Sequence, residues 1–179
     1  MTLAEFTSAG MIVPQLSGGD PASVIQELCQ ALQREKRVTD LLPFYQAALN
    51  REFLVSTDME AGMAFPHARL PGLKSLAFAL GRSGLPLNWG AKAGQPVRLV
   101  FLLAVPATES TRYLLLISGL ARLARQSGQV AKLLAAPDAT RMFEVLQEVQ
   151  LRSTPPSEPG RREEAHLSHP PALVVPSDY

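Results

Sequence analysis

Apolar residues recur with helical spacing in five stretches of the chain, and in one stretch they run almost without a break. In "GGDPASVIQELCQALQRE" the residues Val24, Ile25, Leu28, Ala31 and Leu32 form one stripe. Asp20 is placed to cap this helix and Pro21 suits its first position. "TDLLPFYQAALNRE" predicts a second helix starting near Thr39 or Asp40, with Pro43 in its first turn. "STRYLLLISGLARLARQ" is apolar around most of its circumference, which predicts a largely buried helix. "GQVAKLLAA" and "DATRMFEVLQEVQ" follow, the latter opened by Asp138 as cap. Between the helices the period changes. "VRLVFLLAV", residues 97 to 105, reads as a central strand covered on both faces. "SLAFALGRS", residues 75 to 83, is a second strand, and "MIVPQL" a short edge strand limited by Pro14. "GMAFPH" is extended, and 84–96, rich in Gly and Pro, reads as a loop. Helices alternating with buried strands predict a sheet flanked by helices.

Composition narrows the function classes. The chain has 179 residues with 46% hydrophobic, enough for one domain with a core. A formal net charge of +1 gives no reason to expect a nucleic-acid partner. The N-terminus lacks a basic segment followed by a long apolar one, and the unbroken run Leu99–Val105 falls far short of the ~20 residues of a membrane span. A soluble, cytoplasmic protein with no membrane insertion is expected. The single cysteine, Cys29, excludes an internal disulfide and a thiol zinc cluster, and its place between Leu28 and Leu32 marks a small core residue. From Arg152 on, prolines and charges replace the periodic pattern. Residues 1–151 are therefore read as the domain and 152–179 as a Pro-rich, disordered tail. In that tail "ALVVP" is a docking peptide or a stray apolar patch, and His166 with His169 supplies too few ligands for a metal site.

The chemistry concentrates in "GMAFPHARL", residues 62 to 70. Pro66 favours extended geometry at Phe65 and removes a backbone donor, so a strand is expected to fray there and leave His67 at a strand end or in a loop. If residues 67–69 stay extended, His67 and Arg69 point to the same side. A neutral imidazole can take a phosphoryl group on one ring nitrogen, and a guanidinium beside it can hold the resulting dianion. Taken alone, such a pattern is more often a turn histidine with satisfied hydrogen bonds.

The surrounding segments resemble the enzyme IIA domains of the fructose, mannitol and nitrogen-regulatory class of the bacterial phosphoenolpyruvate-dependent phosphotransferase system. Arg51-Glu52, Ser56-Thr57, Gly62-Met63-Ala64-Phe65-Pro66-His67-Ala68-Arg69 and "GQPVRLVFLLAVPATESTRYLLLISGLARLA" follow that family's order over residues 10 to 150. The resemblance implies a single-domain α/β fold, a mixed central β-sheet flanked by helices on both faces. It implies that His67 accepts a phosphoryl group from the phosphocarrier HPr, with Arg69 and Thr57 beside the phosphate and no cofactor or metal. The acceptor would be an enzyme IIB cysteine, or the domain would regulate a partner protein. Two features depart from the family. Tyr113 stands where the family has a second histidine, and Asp58 and Glu60 replace glycines before the strand, setting two carboxylates near an expected dianion. An apolar rim including Met63 and Phe65 is expected to receive HPr. Trp89 is a core anchor or part of a docking rim. Arg112, Arg122, Arg125 and Lys132, with no acidic residue from Ser110 to Pro137, form a docking face or a solvated helix surface.

Overall fold

The computed structural model describes residues 1–59, 61–90 and 96–152. Glu60 and the tail from 153 on, with His166, His169 and "ALVVP", lie outside the described residues.

Strand β6 (Val97–Pro106) forms the centre of a six-stranded mixed sheet. On one side β5 (Ala77–Leu87) runs antiparallel to it, with β1 (Ile12–Val13) parallel to β5 at the edge. On the other side β3 (Met63–Ala64) and β4 (His67–Leu70) both run parallel to β6, and β2 (Asp58–Met59) pairs antiparallel with β3. The near-continuous apolarity of β6 has the cause expected: both of its faces are covered. Leu99, Phe101, Leu103 and Val105 enter the core beneath α3 (Ser110–Arg125), α4 (Ser127–Ala135) and α5 (Ala139–Glu148). Val100, Leu102 and Ala104 enter the core beneath α1 (Pro21–Arg34) and α2 (Leu41–Leu54). The same alternation in β5 turns Phe78 and Leu80 one way and Ala77 and Ala79 the other.

The helix signals translate directly. The Asp20 carboxylate accepts the Ser23 N–H at 3.1 Å, and the hydrogen bonds from Ser23 hold its carboxyl below the ordinary range. Asp138 accepts the Arg141 N–H at 2.8 Å. Cys29 is fully buried in the α1–α2 core, and desolvation pushes its thiol up to about 12 from 9.0. Because the folded value is the higher one, this group's contribution to stability is complete below pH ~9 and is lost as pH rises towards 12. Titration with a thiol reagent at pH 8 should find Cys29 silent until denaturant is added.

Two expectations need correction, and a third is decided between its alternatives. Helix α3 buries only the stripe Leu116, Gly119, Leu120 and Leu123; Leu114 is exposed, because one flank of the helix has no element over it. The Gly/Pro-rich segment is not all loop, since β5 continues through Gly84, Leu85 and Pro86 to Leu87. Those three residues sit in a register irregularity between the Arg82 and Leu87 pairings, exposed to solvent, where Gly and Pro cost little. Of the two readings of the basic residues of α3 and α4, the solvated helix surface fits and one free docking face does not. Arg112 pairs with Glu109, Lys132 with Glu148, and Arg122 donates to the Gln150 carbonyl. The 3₁₀ turns Leu3–Phe6 and Ala9–Met11 carry no periodic signal.

Arg82 holds the α4 side of the sheet together. Its Nε donates to the Pro14 carbonyl at 2.9 Å, and Nη1 reaches the carbonyls of Leu133, Leu134 and Ala136. The guanidinium thus serves the otherwise unpartnered carbonyls at the end of α4.

Candidate functional site

The proline break positions the histidine. The register with β6 is the same before and after Phe65-Pro66, with Ala64 opposite Val100 and His67 opposite Leu103. The strand is therefore interrupted and resumes, rather than fraying as its sequence suggests. Pro66 lacks an N–H, but its carbonyl still accepts the Leu103 N–H at 2.9 Å, so the chain stays attached to β6. His67 opens β4 and shares a face with Arg69, as period two requires, and that face looks towards α3. Ala68 points into the opposite core, under α2.

An open cleft of about 380 Å³ lies here, lined by Ala47 and Arg51 of α2, His67, Ala68 and Arg69 of β4, Val105 of β6 and Tyr113 of α3. The His67 ring is half-buried, and its Nδ1 lies 3.1 Å from the Phe65 carbonyl. A carbonyl only accepts, so in the neutral ring this contact puts the proton on Nδ1 and leaves the lone pair on Nε2. The Tyr113 ring lies 6.2 Å from the imidazole, centroid to centroid. The Arg69 guanidinium stacks over Tyr113 at 5.3 Å, and its Nη1 donates to Ser110 Oγ at 3.2 Å. A cation held by one hydroxyl and one aromatic face keeps further N–H groups for an anion in the cleft.

His67, Arg69 and Tyr113 are thus brought together. Thr57 is not among the cleft residues. Its hydroxyl donates to Glu52 at 2.6 Å and accepts the Phe65 N–H at 3.1 Å, so its one proton is already committed. Asp58 accepts the Ser56 hydroxyl at 2.6 Å and does not line the cleft. Met63 and Phe65 are buried and form no rim. Exposed apolar side chains near these residues in sequence are Phe53, Leu54 and Val55, which follow Arg51 and the buried Glu52, and Leu114 beside Tyr113. Trp89 is buried and anchors in the core. Arg51 is the cleft residue the sequence reading did not single out. Its signal was its place in the Arg-Glu pair at the last turn of a helix.

This α/β scaffold, with an imidazole and two guanidinium groups on one cleft, belongs to a known class. The chain is a member of the family described as phosphoenolpyruvate-dependent sugar phosphotransferase system, EIIA 2, whose model matches residues 5–149. Among its relatives are two called nitrogen regulatory protein. That of Pseudomonas aeruginosa is 28% identical, over 83% of this chain and 96% of the relative, and that of Bradyrhizobium diazoefficiens 31%, over 82% and 95%. A fructose-specific EIIABC component of the same system from Bacillus subtilis is 27% identical over 82% of this chain, but the match spans 23% of that protein. The crystal structure of nitrogen regulatory protein IIA-Ntr from Neisseria meningitidis superposes with a TM-score of 0.69 at 28% identity, covering 80% of this chain and 98% of the other. The IIA mannitol structure from Escherichia coli, at 18% identity and a TM-score of 0.67, shares the fold. Among the described residues no helix is long and apolar enough to cross a membrane.

Proposed function

We propose that this chain is a cytoplasmic phosphoryl carrier that accepts a phosphoryl group on His67 from an HPr-like phosphohistidine protein and passes it to an enzyme IIB cysteine or a regulated partner. The observation that carries the reading is the Nδ1 contact to the Phe65 carbonyl, which in the neutral ring keeps the lone pair on Nε2, in a cleft lined by Arg51 and Arg69. Nε2 attacks phosphorus in line, the N–P bond of the donor breaks, and the electron pair returns to the donor imidazole. No proton has to leave His67 in the forward step. Arg69 and Arg51 offset the charge on the equatorial oxygens, and Tyr113 supplies a hydroxyl where the family resemblance places a second histidine. Residues 1–151 form the carrier module, with 152–179 appended. Incubation with phosphoenolpyruvate, enzyme I and HPr should add one acid-labile phosphoryl group. No uptake, with a control carrier labelled in the same mixture, would sink the reading.

A second reading is a regulatory module in which the phosphoryl state of His67 signals to a partner, with little onward transfer. It is favoured by Tyr113, a hydroxyl with one proton to donate where the family resemblance places a second imidazole. The relatives matched over nearly their whole length are also named as nitrogen regulatory proteins. Passage of label from the phosphorylated chain to a IIB protein selects the carrier. Retention of label, with capture of a regulator by one phosphoryl state, selects the module.

Under either reading, a docking partner would meet the exposed Leu54 (80%), three positions after the cleft residue Arg51, and Leu114 (64%), next to the cleft residue Tyr113. Leu54→Asp should raise the KM for phospho-HPr about tenfold and leave the unfolding midpoint within error, as loss of an apolar contact to a partner does.

A further inference from the structure

Glu52 sits in the last turn of α2, beside the cleft residue Arg51, and is only 5% exposed. Among the described residues no lysine or arginine pairs with it. Its carboxylate is held by neutral donors instead. Oε1 accepts the Trp89 Nε1–H at 2.7 Å and the Thr57 N–H at 2.8 Å, and Oε2 accepts the Thr57 hydroxyl at 2.6 Å. Ser56 Oγ lies 3.2 Å from Oε1, but its proton serves Asp58 at 2.6 Å. A packed apolar side chain commonly fills such a position with more stability than a buried charge does. A carboxylate kept there points to a task beyond packing.

The hydrogen bonds have a fixed direction. Having given its proton to Glu52, the Thr57 hydroxyl can only accept, and it takes the Phe65 N–H at 3.1 Å. The Thr57 carbonyl shares that N–H at 3.3 Å. Phe65 is thereby clamped at the strand break, and its own carbonyl holds His67 Nδ1–H at 3.1 Å. We propose that Glu52 is the positioning residue for His67: through Thr57 and the Phe65 backbone it selects the Nδ1–H form of the ring and aims Nε2 at the incoming phosphorus. The chemical half of this proposal rests on the carrier reading; the ring-form half does not. An amide at position 52 would present N–H groups to Thr57 Oγ1 and reverse the hydroxyl, removing the acceptor from Phe65.

The test uses Glu52→Gln and Trp89→Phe in the full chain, with two readouts. One is the ¹⁵N NMR signature of the His67 ring, and the other is the initial rate of phosphoryl uptake from phospho-HPr. In the wild type the neutral ring should carry its proton on Nδ1. Glu52→Gln should give a mixture of both neutral forms and slow uptake by about 10- to 100-fold. Trp89→Phe, which removes one donor and keeps the carboxylate, should move both readouts the same way by less. Wild-type ring signals and rate in either folded variant would overturn the proposal. So would slow uptake with an unchanged ring signature, which marks a merely structural effect. If Glu52→Gln does not fold, Trp89→Phe decides alone. If the wild type takes no phosphoryl group, the carrier reading falls and the ring signature still judges Glu52.

Discussion

His67→Ala should take up phosphoryl from phospho-HPr at least about 10³-fold more slowly than the wild type, down to background. Nothing else on the cleft can replace the imidazole. The guanidinium groups of Arg51 and Arg69 have no lone pair to attack with, and a neutral phenol is a poor nucleophile. The loss should not reflect unfolding. The ring is half-buried at the sheet edge, and among the described residues its hydrogen bond is the one to the Phe65 carbonyl, which water in the open cleft can then satisfy. A stability change within about 1 kcal/mol is expected. Intact mass before and after labelling, with and without acid treatment, reads the result. Full labelling of the alanine variant would move the acceptor to another residue, His166 and His169 being the remaining histidines.

Arg82→Ala should be the most destabilising change of a partly exposed side chain, by about 3 kcal/mol. The loss has two parts. The carbonyls of Leu133, Leu134 and Ala136 lose their donor at a helix end, and β1 loses the tie through the Pro14 carbonyl. A urea titration should show a lower midpoint with an unchanged slope. Arg82→Lys should recover a minor part, since an ammonium on a flexible stem cannot serve Pro14 and the end of α4 together. Arg82 is not among the residues lining the cleft, so uptake at His67 should persist wherever the variant is folded. A midpoint equal to the wild type would mean water satisfies these carbonyls as well as the guanidinium does.

Local signals were legible because each depends on one element. The Asp20-Pro21 start of α1, the doubly covered β6 and the shared face of His67 and Arg69 all follow from capping, burial and period two. What escaped was set by pairing across the chain. β5 runs on through Gly84–Pro86 because Leu87 finds Val97 on β6, a contact no local propensity encodes. The break at Pro66 does not end pairing, since Leu103 holds the proline carbonyl. For the site, resemblance led to Thr57, but the direction of its hydroxyl proton is decided by Glu52, itself fixed by Trp89 from 37 positions away. Arg51 joins the cleft because α2 packs beside β4, which its helical pattern alone does not tell.

The chain contains one tryptophan, and its indole N–H is given to the Glu52 carboxylate, which also holds Thr57. Excited at the red edge of its absorption, where the three tyrosines absorb little, this indole is a single source of emission, linked through Glu52 and Thr57 to the Phe65 backbone. Under the carrier reading, the wavelength and quenching of that light should follow occupancy and partner docking in real time, with no dye attached.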